Sequence, residues 1–303
     1  HGSPRVSAER AGMTPYAYLP QMMEFARRGW AVAVVMRRGF GDSGGGFAEN
    51  FGTCQDPGYL ASARSSANDL RAAIAYLSAR PDIDATRIIS VGQSAGGLAT
   101  VALTADPPAG LVAAINFAGG RGSPKDGEVC AGDRLVAAFA TLGRTSRTPM
   151  LWIYADNDQF FSPEIAQRFH QAFTAGGGKA VYVKHPAFGR DGHALFSAAI
   201  ALWTPHVDAF LQHQKLALRE TLLPVPLPDI PPPAGLGENG RKAFADYLGS
   251  GPHKAFAVSP KGAFGWKTGR RTIEDARKGA LDNCEKFGKD CRIVIVDETP
   301  TPP

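Results

Sequence analysis

The stretch Arg87-Ile88-Ile89-Ser90-Val91-Gly92-Gln93-Ser94-Ala95-Gly96-Gly97 decides the reading of this chain. Its centre, Gly92 to Gly96, fits the G-x-S-x-G pattern of a nucleophile elbow, in which a strand turns sharply into a helix. Arg87 to Val91 reads as a short buried strand, and Gly97 to Ala105 as a helix rich in small residues. Such a turn holds its central residue in a strained backbone conformation, and glycines two positions either side relieve the crowding. The Ser94 hydroxyl is thereby pushed out above the sheet. At the N-terminus of the helix the backbone N–H of Ala95 is free to bind a developing oxyanion. The alternative is a chance glycine-rich turn, and the succession of strand, elbow and small-residue helix argues against it.

On either side of the elbow, strand and helix signals alternate. Met22 to Arg28 is helical in pattern, Trp30 to Met36 reads as a strand, and Arg37 to Gly44 forms a Gly-rich loop. Ala67 to Leu77 places Leu70, Ile74 and Leu77 on one helical face. Beyond the elbow, Leu111 to Phe117 is a strand, and Ala118 to Leu142, with a helical patch at Leu135 to Phe139, reads as a lid or cap. Met150 to Tyr154 is the next strand. Ser162-Pro163-Glu164 starts a helix, with serine at N-cap and proline at N1, which stops at Gly176 to Gly178. Ala180 to Lys184 is the last strand, followed by a helix from about His193 to Gln214. This alternation means an α/β fold with a mostly parallel sheet and helices on both faces.

The prolines at 224, 226, 228 and 231 to 233 can occupy neither helix nor sheet interior and mark residues 222–234 as a linker. The expected domains are therefore residues 1–221, and a small ββαβ unit over 235–303. In the latter a helix from Asn239 to Leu248 precedes strands at Lys254 to Val258 and Phe264 to Thr268. Thr272 then caps a helix to Lys286, and Cys291 to Val296 is the third strand.

The composition narrows the function classes. A net charge of +5 spread along 303 residues, without a basic stripe, gives nucleic-acid binding little support. No apolar run approaches the roughly 18 residues that cross a bilayer. The four cysteines fall as Cys54 with Cys130 and Cys284 with Cys291, which suggests two disulfides and an oxidising compartment, periplasmic or secreted; four unrelated thiols are the alternative. The histidines lack metal-ligand spacing and the cysteines are too far apart for a zinc knuckle, so neither metal nor organic cofactor is expected.

A serine hydroxyl is a poor nucleophile at neutral pH and needs a base within hydrogen-bond reach, itself oriented by an acid. In parallel sheets of this kind the three follow in the order Ser, Asp or Glu, His, each on a loop after a successive strand. After the strand ending at Tyr154 come Asp156 and Asp158; after the strand ending at Lys184 comes His193, on a glycine-containing loop just before a helix. Asp158 is preferred as the acid because it lies further from the strand end and reaches toward the histidine loop, with Asp156 as its rival. His193 is preferred as the base, with His185 as its rival; His170, His206 and His213 fall in helices.

These residues resemble the serine α/β-hydrolase superfamily, and the part from His1 to about Gln214 is most similar to its dienelactone-hydrolase-like and prolyl-oligopeptidase-like branches. The resemblance rests on His1-Gly2-Ser3, the Arg38-Gly39-Phe40-Gly41 loop, the elbow at Ser94, Asp158 and His193. It implies an oxyanion hole formed by the backbone N–H groups of Ala95 and Ser3. It also implies that strands normally preceding the His-Gly loop are missing before His1, together with any signal peptide. Dienelactone hydrolases themselves use cysteine at the elbow, where this chain has Ser94. The C-terminal unit resembles small cysteine-paired domains of exported bacterial proteins, which names no activity.

The substrate is expected to be a small acyl compound. Phe160, Phe161 and Phe188, with Phe196, flank the acid and base and would line an acyl pocket or pack as core. Arg121 and Arg134 would bind an anionic substrate or lie solvated at the surface. The leading reading is a serine hydrolase of carboxylic esters. Its alternatives are a serine peptidase, which differs in the leaving group, and a non-catalytic cell-envelope binding module on a hydrolase scaffold.

Overall fold

Leu111 to Phe117 is apolar on both faces except at Asn116, a pattern that suits a strand covered by helices above and below. The computed structural model describes residues 1–301 and gives this segment as an inner strand of a four-stranded parallel sheet. In chain order the elements are α1 (Leu19–Ala26), α2 (Tyr59–Ser78), β1 (Ile88–Gln93), α3 (Ala95–Ala105), β2 (Leu111–Phe117), α4 (Gly132–Gly143), β3 (Met150–Ala155), α5 (Pro163–Ala175) and β4 (Ala180–His185). They continue as α6 (Leu195–Ala198), α7 (Ile200–His213), α8 (Glu238–Leu248), β5 (Ala255–Val258), β6 (Phe264–Lys267), α9 (Ile273–Glu285), β7 (Arg292–Val296) and β8 (Thr299–Pro300). Contacts divide the chain into two units: residues 1–10 with 35–220, and residues 11–34 with 221–303.

In the first unit the sheet order is β1-β2-β3-β4, and the register sets Val91 beside Ile115 and Ile115 beside Leu151. Because side chains alternate along a strand, one face carries Ala114, Trp152 and Tyr154 into a core with Leu98, Val101, Phe139, Phe169 and Phe173. On β2, Phe117 packs instead against Phe196 and Trp203, at ring-centroid distances of 4.5 Å and 5.3 Å. α3 is buried from Ala95 to Thr104, which its glycines, alanines and threonines permit. A Cβ on Gly97 would collide with Asn116 Oδ1 on β2, so helix and sheet approach as closely as the backbone allows.

Three expected elements differ. Trp30 to Met36 forms no strand; an apolar extended segment becomes a strand only when a neighbouring backbone pairs with it, and no described strand does. The segment expected as a lid carries α4, whose Leu135, Ala138, Phe139 and Leu142 are core residues. Phe139 stacks on Phe169 at 4.6 Å, and burying such a ring contributes about 1.5–3 kcal/mol. Finally, the helix expected over His193 to Gln214 is broken at Ala199, between α6 and α7.

In the second unit an antiparallel sheet, order β6-β5-β7-β8, packs Phe256 and Ile295 with Phe244 and Tyr247 of α8. Ala255 and Ala257 pack with Ala276, Ala280 and Cys284 of α9. Thr272 accepts the N–H of Asp275 at 3.1 Å and caps α9. Residues 11–34, expected with the hydrolase domain, belong here: Thr14 Oγ1 donates to the Gly269 carbonyl at 2.7 Å, and the Leu223 N–H to that of Arg27 at 2.9 Å. Residues 222–233 have neither helix nor strand. No single helix of the described residues is long and apolar enough to cross a membrane.

Candidate active site

Ser94 sits between β1 and α3 with φ 55° and ψ −122°, a conformation that costs a non-glycine residue on the order of 1–3 kcal/mol. Its carbonyl accepts the N–H groups of Leu98 and Gly120, at 3.0 Å and 3.1 Å, and its own N–H donates to Phe117 at 2.9 Å. These bonds, two of them to the segment at the end of β2, hold the strained residue. The pentapeptide glycines have separate tasks. A Cβ on Gly92 would collide with the Gly96 carbonyl, and one on Gly96 would collide with the carbonyl of His1.

The His1–Ser3 segment therefore lies directly on the elbow. A Cβ built on Gly2 would stand 3.2 Å from that of Ser94. Among the described residues no carbonyl takes the N–H of Ser3 or of Ala95, the two groups expected to bind an oxyanion.

The loop after β3 separates the two candidate acids. Asp158 is buried, its Oδ1 accepting the N–H groups of Phe160 and Phe161 at 2.7 Å and 2.9 Å. Its Oδ2 lies 2.9 Å from His193 Nδ1. Asp156 is 41% exposed and pairs with Lys184 at 2.8 Å. His193 is held on both sides: its N–H donates to Asp191 Oδ1 at 2.9 Å, and its carbonyl accepts Gln93 Nε2 at 3.0 Å. Gln93 precedes Ser94, so the base loop is bonded to the elbow. Asp191 also accepts the N–H of Gln159 at 3.0 Å, and a Cβ on Gly192 would press on Ala155, so the loops after β3 and β4 interlock. The ring of the rival His185 has its Nδ1 2.8 Å from the Pro186 carbonyl and lies edge-on to that of His206, centroids 6.2 Å apart. Among the described residues no three His, Cys, Asp or Glu side chains cluster as metal ligands would.

The dienelactone hydrolase family model matches residues 55–210, just over half of the chain and inclusive of Ser94, Asp158 and His193. The chain belongs to the dienelactone hydrolase family. It has the α/β-hydrolase fold. No curated protein matches. Among solved structures, a protein from Klebsiella pneumoniae described as a dienelactone hydrolase is 20% identical over 49% of this chain, with a TM-score of 0.38; the chain spans 60% of that protein. An esterase from Pyrococcus furiosus is 15% identical over 64% of this chain and 73% of its own, TM-score 0.48. A puromycin-hydrolyzing peptidase from Mycobacterium tuberculosis is 17% identical over 56% of this chain and 30% of its own, TM-score 0.39.

In this dienelactone hydrolase family member the aromatic residues divide. Phe160 stacks on the His193 ring, centroids 4.0 Å apart, and its other face carries the Arg5 guanidinium at 3.8 Å. Phe161, expected at an acyl pocket, is 1% exposed and packs in the core beneath Gly120. Phe196 is likewise buried against Phe117 and Trp203, while Phe188 is tied by its backbone to Asn157, which receives its N–H at 2.8 Å. Arg134 is an exposed partner of Asp56. Arg121 is buried and bonded to Glu49, so its charge is already met inside the protein.

Cys54 bridges Cys130 and Cys284 bridges Cys291, leaving no free cysteine. Sequence reasoning missed Glu49, a fully buried carboxylate bonded to both Arg37 and Arg121, and the Arg5–Phe160–His193 stack. Arg37 opens the Gly-rich loop; nothing local marks Glu49 as its partner.

Proposed function

We propose that this chain is an exported serine hydrolase that cleaves carboxylic esters through an acyl-enzyme on Ser94. Ser94 Oγ attacks the ester carbonyl carbon while His193 Nε2 takes its proton, and the tetrahedral oxyanion lies against the N–H groups of Ala95 and Ser3. The imidazolium returns the proton to the departing alkoxide, releasing the alcohol. Water then attacks the acyl carbon, giving its proton to His193; collapse frees the carboxylic acid and restores the Ser94 hydroxyl. Asp158 fixes the ring with its proton on Nδ1 and stabilises the imidazolium.

The observation that carries the reading is the buried Asp158–His193 pair, 2.9 Å apart, on a loop bonded to the strained elbow through Gln93. The two disulfides support an oxidising, extracytoplasmic location. The test is turnover of p-nitrophenyl esters, with anilide counterparts as the amide arm. Ser94→Ala should lose on the order of 10^4 to 10^6 in kcat while staying folded; retention of even a tenth of the wild-type rate places the nucleophile elsewhere.

A further inference from the structure

Three loops converge behind the elbow on one buried carboxylate. Glu49 is fully buried and receives Arg37 Nε on Oε1 and Arg37 Nη2 on Oε2, the latter at 3.2 Å. Arg121 Nη2 donates to the same Oε2, and Arg121 Nη1 to the Glu49 backbone carbonyl at 3.0 Å. The guanidinium of Arg37 has a further donor, Nη1, and it bonds the His1 carbonyl at 2.8 Å. The Arg37 backbone N–H donates to His1 Nε2 at 3.1 Å, which puts the imidazole proton on Nδ1, 2.7 Å from the Gly2 carbonyl. The His1 carbonyl is thus wedged between the Arg37 fork and the α carbon of Gly96.

Two arginines and a glutamate buried together are costly, and apolar side chains of similar volume commonly stabilise a core as well or better. What apolar residues cannot do is hold one backbone carbonyl in place while being held themselves. Only a planar fork donates to a carboxylate along one edge and to a carbonyl along another; an ammonium does not. The other arm runs through Arg121, which follows Gly120, whose N–H holds the Ser94 carbonyl. One carboxylate therefore fixes both the segment lying on the elbow and the segment supporting it.

We infer that Arg37 and Glu49 are positioning residues that set the Ser3 N–H at the oxyanion position, an inference that rests on the proposed serine-hydrolase reading. An oxyanion donor works only within a few tenths of an ångström of its place, and a misplacement of about 1 Å costs on the order of 10^2 in rate. The substrate's ground state gains little from that donor, so the loss falls on kcat.

The test compares the full chain with Arg37→Lys, Glu49→Gln and Glu49→Asp, and with the exposed Arg87→Gln as a control, by ester kinetics, melting temperature and inhibition by a trifluoromethyl ketone. Arg37→Lys keeps a charge against Glu49 but cannot also reach His1, so it carries the test where Glu49→Gln fails to fold. The expected result is a kcat lowered on the order of 10^2 with KM within about twofold, and inhibitor affinity weakened by the same factor as kcat/KM. Glu49→Asp should recover part of the loss. A folded Arg37→Lys with unchanged kcat and inhibitor affinity, or a loss confined to KM, overturns the inference. Ester turnover that is equal in wild type and Ser94→Ala would instead overturn the serine-hydrolase reading, and the inference with it.

Discussion

His193 Nδ1 lies 2.9 Å from Asp158 Oδ2, across 35 residues of sequence, while the neighbouring Asp156 is turned to solvent and paired with Lys184. The register of the sheet explains the division: Tyr154 pairs with Lys184, so the residue two beyond Tyr154 meets the lysine. Asp158, two residues further on, turns under the histidine loop. Asp158→Asn should therefore cost about 10^4 in kcat by leaving the imidazole in the wrong tautomer. Asp156→Asn should leave kcat nearly unchanged. Steady-state kinetics of the two variants decide between them, and a larger loss at Asp156 would reverse the assignment.

The strain at Ser94 gives a second prediction. With φ 55° and ψ −122°, the position suits glycine better than any residue with a Cβ. Ser94→Gly should be inactive and more stable than Ser94→Ala by about 1 kcal/mol, measured by urea denaturation. Equal midpoints would mean that the elbow relaxes without cost.

The Glu49 carboxyl is expected to contribute to the acid limb of stability. Burial alone would raise its pKa, but the charges and hydrogen bonds of Arg37 and Arg121 outweigh it and hold the carboxyl below its ordinary value. A carboxylate whose folded pKa is depressed contributes stability above its unfolded pKa, and loses it as pH falls through the folded one. Melting temperature should therefore fall as pH drops from the ordinary carboxylate range into stronger acid. In Glu49→Gln the curve should start lower and flatten there. An acid limb of the same steepness in that variant would show that other carboxylates set it.

The Cys54–Cys130 bridge spans 76 residues and joins the segment after Glu49 to the segment before α4. Removing it as the Cys54→Ala/Cys130→Ala double variant should cost about 2–5 kcal/mol in chemical denaturation. An unchanged midpoint would show that the Tyr59 hydroxyl, which donates to the Cys130 carbonyl, with the surrounding core holds the segment unaided.

How far the sequence can be read follows from how local each signal is. The elbow, the N-cap at Ser162 and the loops bearing Asp158 and His193 are written in neighbouring residues, so their elements can be placed without a fold. α4 is legible too, since Leu135, Ala138, Phe139 and Leu142 have helical core spacing; the glycines, charges and cysteine before it suggest a lid instead. Trp30 to Met36 misleads for the opposite reason: its apolar pattern is that of a strand, but pairing depends on a neighbour the segment itself does not encode. The Arg37–Glu49–Arg121 cluster is wholly non-local. A single glutamate between Ala48 and Asn50 gives no sign that two arginines, 12 and 72 residues away, will enclose it.

The role of Ser94 is tested by covalent labelling of the native chain with a fluorophosphonate, followed by peptide mass spectrometry. Fluoride leaves as the serine oxygen bonds to phosphorus, so the adduct marks the activated nucleophile. The expected result is one phosphonyl group per chain, carried by the peptide containing Ser94, and no labelling of Ser94→Ala or of heat-denatured protein. An enzyme that hydrolyses esters but carries the label elsewhere, or none, would contradict it.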